Sequence, residues 1–292
     1  MKSKIIAVTV NWNRPEDTLT CIQTLTLQTP RPPDEIVVVD NGSTDASVSR
    51  LRASSFQITL LCADRNLGFS KGYNWGIQYA LDNGADHVLI INNDATLAGD
   101  ALARLLEHAE PDVGALAPLI YYADKPRIIW SLGGRTHPCT LEKSNPYVGQ
   151  RDPGNLPTII EQDFLTGCIL LLPRATLQKV GLFDEGYWLY YEDMDFSRRV
   201  RLAKLRLLTV TKAHAWHKVA TSSGGHDSPF ERYWMARSSV RFFRTYGRGW
   251  CMGVILPYRL GSALKTTFRL VRRGKQAALR AYWRGLLDGL RE

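Results

Sequence analysis

Apolar residues along this chain fall into two rhythms. Continuous runs such as Ile5-Ile6-Ala7-Val8, Ile36-Val37-Val38-Val39 and Val88-Leu89-Ile90-Ile91 leave no polar face and read as strands covered on both sides. Between them the apolar positions spread to helical spacing. Leu19, Ile22 and Leu25 follow Pro15, a residue suited to a first helical turn, and a second helix is expected through Trp75, Ile77 and Leu81. With a further strand over 58–62, strands alternate with helices, which predicts an α/β fold with a doubly wound, largely parallel sheet. Across 121–162 the pattern dissolves into glycine, proline and polar residues, read as a loop or short-hairpin insertion facing the substrate. Order returns with the apolar run 169–172 and a helix over 175–180, and beyond 228 the spacing is helical to the end.

The strands end in polar clusters: Asn11-Trp12-Asn13, Asp40-Asn41-Gly42-Ser43 and Asn92-Asn93-Asp94. Such ends lie side by side in a parallel sheet, and open α/β sheets bind ligands along that edge. Asp94 there suits a hard divalent cation shared with a phosphate-bearing ligand. Asp40 suits a hydrogen bond from a base or ribose, and Trp12 a stacked base. Ordinary turns and a core tryptophan are the plainer reading of the same stretches. Asn66-Leu67-Gly68-Phe69-Ser70-Lys71-Gly72 sets two glycines and Lys71 near a helix start, where backbone N–H groups and the dipole fit a diphosphate. Later, Tyr187-Trp188-Leu189-Tyr190-Tyr191-Glu192-Asp193 delivers paired carboxylates at another helix start. Acids there complement the dipole. Acids among aromatic rings also suit sugar recognition, and one can act as a general base on an alcohol.

Composition narrows the class. A chain of 292 residues with 45% hydrophobic and 22% charged residues is globular and able to bury a substantial core. No apolar run approaches the roughly 18 residues of a membrane-spanning helix. Met1-Lys2-Ser3-Lys4 runs straight into the first strand, leaving no room for a signal peptide. Five scattered cysteines without a Cys-x-x-Cys pair favour reduced thiols in a cytoplasmic protein over a zinc site. The net charge of +9 favours anionic partners. In the tail, Lys265, Arg269 and Arg272 fall at helical spacing, Leu260, Leu264 and Phe268 mark an apolar side, and Trp283, Leu286, Leu287 and Leu290 extend it. A basic amphipathic helix of this kind lies on an anionic membrane surface or packs on the catalytic domain; both fit.

Val10-Asn11-Trp12-Asn13, Val39-Asp40-Asn41-Gly42-Ser43-Thr44-Asp45, Asn66-Leu67-Gly68-Phe69, Asn92-Asn93-Asp94 and Phe183-Asp184-Glu185…Tyr191-Glu192-Asp193 resemble the ordered motifs of glycosyltransferase family 2. The resemblance covers roughly the first 245 residues and is closest to the rhamnosyltransferase-like branch. It implies a GT-A fold, a nucleotide-diphosphate sugar donor such as dTDP-β-L-rhamnose, a divalent cation (Mg2+ or Mn2+) and an inverting mechanism. The acceptor would be a glycan or lipid-linked hydroxyl, with no nucleic-acid partner, placing the enzyme in the cytoplasm or at the inner face of the cell membrane. Donor contacts are implied for Asn11, Trp12, Asp40, Asn66, Gly68, Phe69, Lys71 and Asn93, with Asp40 reading a pyrimidine base. Asp94 matches the last acid of the D-x-D metal motif, whose first acid is Asn92 here. His217 matches a later histidine ligand, with His214 in competition. Thr166, Gly167, Cys168, Tyr191 and Glu192 fall on the acceptor and sugar side, and Asp193 matches the catalytic base.

The domains implied are 1–245 for catalysis, divided into a nucleotide-binding half (1–120) and an acceptor half (121–245), and a helical extension over 246–292. A nucleotidyltransferase should carry a glycine-rich basic loop after the first strand, where this chain has Asn11-Trp12-Asn13-Arg14-Pro15. A catalytically inactive nucleotide-sugar-binding protein could lose Asp94 and Asp193; both are present.

Overall fold

In the computed structural model, which describes residues 3–219, 227–247 and 249–292, the three apolar runs are adjacent strands of one sheet. β1 (Ile5–Asn11), β2 (Glu35–Asp40), β3 (Thr59–Cys62) and β4 (His87–Ile91) are parallel, in the order β4-β1-β2-β3. The intervening helices are α1 (Pro15–Thr26), α2 (Ser47–Arg52) and α3 (Gly68–Asp82). Side chains alternate across a strand, so a run without polar residues feeds two cores at once. Ile5, Ala7, Val38, Leu89 and Ile91 pack in one layer with Ile22 and Leu25 of α1. Ile6, Val8, Val37, Val88 and Ile90 pack in the other with Tyr73 and Ile77 of α3. A Cβ added at Gly76 of α3 would lie 2.3 Å from Val8 Cγ1, a measure of how closely that helix crosses β1.

Beyond β4 the chain continues through β5 (Ala95–Leu97), α4 (Ala101–Leu106), β6 (Val113–Tyr122) and β7 (Lys125–Ser131). After a two-strand hairpin of β8 (Arg135–Thr136) and β9 (Lys143–Ser144) come β10 (Ile159–Gln162), β11 (Ile169–Pro173), α5 (Arg174–Val180), α6 (Glu192–Leu202) and β12 (Arg206–His217). β11 is antiparallel between β4 and β6, and β12 runs parallel to β6. The expected insertion over 121–162 therefore holds short strands, with β7 folding back on β6. Among the described residues no helix is long and apolar enough to cross a membrane.

By contacts the chain divides into two units. The first comprises Met1–Gly134, Asn145–Glu185 and Glu192–Val219 and holds the large sheet. The second comprises Arg135–Ser144, Gly186–Tyr191 and Ala220–Glu292, with α7 (Pro229–Tyr246), α8 (Met252–Arg272) and α9 (Gln276–Arg291). Within it, Ala236 of α7 shares a small core with Ala263, Leu270, Ala278 and Tyr282, and Trp188 stacks on Trp234 at 4.4 Å between ring centroids. The division expected at residue 245 is corrected by this packing: α7 buries its face among α8 and α9, so the break falls inside one unit.

Candidate active site

The pairing of β1 with β2 sets Asn11 opposite Asp40, and a buried polar network grows from that register. Asn11 Nδ2 donates to Asp40 Oδ2 (2.8 Å), and the Ser43 hydroxyl and backbone N–H donate to the same carboxylate (2.7 and 2.9 Å). Thr18 Oγ1 donates to Asn11 Oδ1 (2.7 Å) and receives Asn93 Nδ2 (3.0 Å). The ends of β1, β2 and β4 are thus tied through side chains. Asn11 has no exposed surface, and Asn93 is also buried. The direct donor contacts expected of Asn11 and Asp40 are therefore both corrected: Asp40 is 1% exposed, and the amide and the carboxylate satisfy each other and Ser43 inside the network. Trp12 is 38% exposed, which removes the core-tryptophan reading.

The loop into α3 is fastened to the same edge. Asn41 Oδ1 accepts from Leu67 N (2.9 Å), Asn41 Nδ2 donates to Gly68 O (3.0 Å), and Asn66 Oδ1 accepts from Gly68 N (2.8 Å). The Leu67 and Gly68 N–H groups are thus bound by asparagine side chains instead of facing a diphosphate. Lys71 lies exposed on α3, 3.5 Å from Glu185. Gly42 has φ +71°, and a Cβ there would lie 2.3 Å from the backbone of Arg65, so this turn needs glycine.

Asp94 and His217 are 123 residues apart in sequence and meet because β5 pairs antiparallel with the end of β12, placing His217 opposite Ala95. His217 Nε2 lies 2.9 Å from Asp94 Oδ1, and both side chains are buried. Lys218 N donates to Asp94 O (3.0 Å), and the Trp130 ring lies 4.3 Å from the His217 ring. Strand alternation sets His214 on the opposite face of β12 from His217, its ring against Tyr121 at 5.6 Å, so of the two histidines it is His217 that meets Asp94. Asn92 Oδ1 accepts from Tyr73 Oη (3.0 Å). Burial, then the neighbouring Cys168, Cys21, Asp94 and Glu192, push the Tyr73 phenol well above its ordinary range, so it stays a donor.

Among the described residues no group of three or more His, Cys, Asp or Glu side chains is placed to hold a metal. The Asp94–His217 pair nevertheless fits a shared cation. A carboxylate oxygen and the imidazole Nε2 already converge in a buried setting. Two protein ligands leave coordination positions for phosphate oxygens and water.

At the start of α6 the two acids part. Glu192 is buried and Asp193 partly exposed. Asp193 Oδ2 accepts from Gly167 N (3.2 Å) and Oδ1 from Met194 N (2.8 Å). A Cβ at Gly167 would touch both Phe69 Cζ (3.2 Å) and Asp193 Cβ (3.4 Å), so the first turn of α3, the 166–168 turn and Asp193 converge. Tyr190 and Tyr191, immediately before α6, have φ of +66° and +70°, a left-handed backbone that costs bulky side chains strain and often marks functional segments.

Three acceptor-side expectations change. Cys168 is 3% exposed within the core, where burial pushes its thiol well above the usual range, so it cannot reach a sugar. Glu192 is turned inward and is not free to take a hydroxyl. The Tyr191 ring packs in the second unit against Phe242 (5.4 Å), which occupies the ring otherwise offered to a sugar. Thr166 remains partly exposed. Sequence reading missed Thr18, Tyr73 and Asn74. Asn74 clamps Phe183, its Nδ2 donating to the carbonyl (2.8 Å) and its Oδ1 accepting from the N–H (3.0 Å). Their signal was a polar atom on an otherwise apolar helix face.

A sequence model described as "Glycosyl transferase family 2" matches residues 6–175. Similar curated proteins include the N-acetylglucosaminyl-diphospho-decaprenol L-rhamnosyltransferase of Mycobacterium tuberculosis, 29% identical over 70% of this chain and 72% of the relative. The galactofuranosyltransferase GlfT1 of the same organism is 31% identical over 68% of this chain and 65% of its own length. The rhamnosyltransferase WbbL of Escherichia coli is 24% identical over 60% and 69%. Among solved structures, the mannosyltransferase PcManGT from Pyrobaculum calidifontis, in complex with GDP-Man and Mn2+, superposes with a TM-score of 0.61 at 18% identity, over 99% of this chain and 76% of that one. GalNAc-T7 with UDP, GalNAc and Mn2+ gives 0.62 at 17% identity over 80% of this chain, which spans 47% of that protein. At such identities these two are likenesses of fold.

Proposed function

This chain belongs to glycosyl transferase family 2 and has the GT-A fold, and from that premise we propose that it transfers L-rhamnose from dTDP-β-L-rhamnose to a hydroxyl of a lipid-linked glycan, with inversion. The observation that carries the reading is Asp193: a partly exposed carboxylate held by two backbone N–H groups, beside Gly167 and Phe69. The acceptor oxygen attacks the anomeric carbon, its proton passes to the Asp193 carboxylate, and the bond from that carbon to the diphosphate breaks. Asp40 is buried, its carboxylate held by Asn11 and Ser43, so it shapes the turn beside the base, and Trp12 supplies an exposed ring for the pyrimidine. Asp94 and His217 are the residues that would hold a divalent cation, which would supply positive charge against the departing diphosphate. A nitrogen ligand favours Mn2+ over Mg2+. Two relatives named as rhamnosyltransferases support the sugar, and one of them, named for a decaprenol-linked substrate, supports the acceptor class.

The test is a panel of nucleotide sugars, including dTDP-β-L-rhamnose and a galactofuranose donor, offered with Mn2+ or Mg2+ and a prenyl-diphosphate-linked glycan. Release of dTDP and an acceptor gaining one rhamnose of inverted configuration is the expected outcome. Turnover only with the galactofuranose donor would reassign the sugar, as the relative GlfT1 suggests. Tight donor binding without transfer from any donor would make this an inactive binding protein.

A further inference from the structure

The outward side of α8 carries no polar group for most of its length. At about 3.6 residues per turn, Ile255, Ala263 and Leu270 define the buried side of the helix. Gly253, Pro257, Leu260, Leu264, Phe268 and Val271 fall on the opposite side. Leu260, Leu264, Phe268 and Val271 are between 57% and 68% exposed. Trp283 Nε1 of α9 donates to Thr267 Oγ1 of α8 (3.1 Å), which brings the exposed Trp283 and Leu287 of α9 alongside this strip. Trp250, just before α8, is 76% exposed.

Basic side chains flank the apolar strip. Lys265 and Arg272 are exposed along one margin of the α8 face, and Arg280, Arg284 and Arg291 on α9. From Met252 to the end, nine Lys and Arg residues stand against Asp288 and Glu292, so this segment holds most of the chain's net charge of +9. Arg269 and Arg273 are engaged with the buried Asp227 and belong to the packing of the unit.

We propose that the exposed face of α8, extended by α9, docks this protein on an anionic lipid surface, lying in the headgroup region with Leu260, Leu264 and Phe268 turned to the acyl chains. An apolar strip with basic margins and exposed tryptophans complements such a surface in both polarity and charge. A second copy of this chain fits less well, because a two-fold contact pairs a patch with itself and would crowd like charges along the margins. The inference stands on the second unit alone and does not depend on which sugar is transferred.

The test uses the full chain in flotation assays with phosphatidylglycerol–phosphatidylethanolamine vesicles and with phosphatidylcholine vesicles. The wild type should favour the anionic vesicles by about tenfold or more, less so at high salt. Replacing Leu260, Leu264 and Phe268 together by Glu should cut vesicle binding by at least about tenfold. The helical circular dichroism should be unchanged, since all three side chains already face solvent. Lys265→Glu with Arg272→Glu should remove most of the preference for anionic vesicles while leaving residual binding. Absence of wild-type binding, or equal binding by the triple variant, would overturn the proposal. So would a wild-type dimer in sedimentation velocity that the triple variant dissolves while neither binds vesicles. Donor binding, measured without vesicles, reports separately on the glycosyltransferase reading.

Discussion

Asp193 and Glu192 are adjacent acids with different surroundings, and the difference is testable residue by residue. Asp193→Asn keeps the shape and the acceptor oxygen for one of its two N–H partners but cannot take a proton. We expect turnover to fall by about 10²- to 10⁴-fold with unchanged nucleotide affinity. A helix-capping role would leave turnover near normal, because Asn caps about as well as Asp. Asp94→Ala should abolish metal-dependent nucleotide binding in calorimetry, and His217→Ala should weaken it less, since Asp94 and the phosphates remain. Equal affinities for Asp94→Ala and wild type would end the metal assignment. Cysteine labelling checks the correction at Cys168. Burial raises its thiol well above the usual range and that of Cys21 to about 12, so both should resist iodoacetamide in the folded protein while the exposed Cys62 reacts. Fast labelling of Cys168 would put it back on the surface.

At the scale of elements, what could be read in the sequence follows from how many faces an element buries. β1, β2 and β4 are continuous apolar runs covered on both sides, and α1 and α3 show helical spacing, so the nucleotide-binding half was visible. β6 and β12 were not read as strands. β6 contains Gly114 and Pro118, which argue against a strand when seen alone, and β12 interleaves Thr, Lys and His with its apolar residues. The acidic candidates were legible because the motifs are local. The burial of Cys168 and Glu192 was not, because it depends on which side of a turn meets the core. Gly76 shows the same limit: in sequence it is a weak point of a helix, but in three dimensions it admits Val8. Gly76→Ala should therefore destabilise by about 1–3 kcal/mol through overpacking, despite a gain in helix propensity of nearly 1 kcal/mol. Urea denaturation would show it as a lower midpoint at constant slope. A stabilised variant would mean that α3 can back away from β1.

At the scale of the whole molecule, the question is whether 246–292 is an appendage, as a basic amphipathic tail suggests, or part of a folded unit. The surroundings of Asp227 decide for the unit. Its carboxylate is fully buried and lies within 3.3 Å of Arg232 and 3.2 Å of Arg269, with Arg273 at 2.9 Å. Two of those three guanidinium groups come from the last turn of α8 and the residue that follows it. Around them Ala236 loses Ala263, Leu270, Ala278 and Tyr282 if the tail is cut. Arg259, which lies over the Phe243 ring at 4.3 Å and donates to Ser239 Oγ, goes as well. Leaving a buried acid short of its partners costs about 3–5 kcal/mol, and each large apolar side chain returned to water adds roughly 1.5–3 kcal/mol. A chain ending at Tyr246 should therefore lose cooperative unfolding of the second unit and aggregate. A separable appendage would leave the melting temperature and the solubility of the truncated chain unchanged. Because the cut disturbs α7 as well as the lipid-facing strip, loss of vesicle binding on truncation says little by itself. Asp227→Asn in the full chain supplies the cleaner measurement. It keeps the size of the side chain while removing the charge that holds three arginines together, so it should lower the melting temperature without altering the exposed face of α8 or its binding to anionic vesicles.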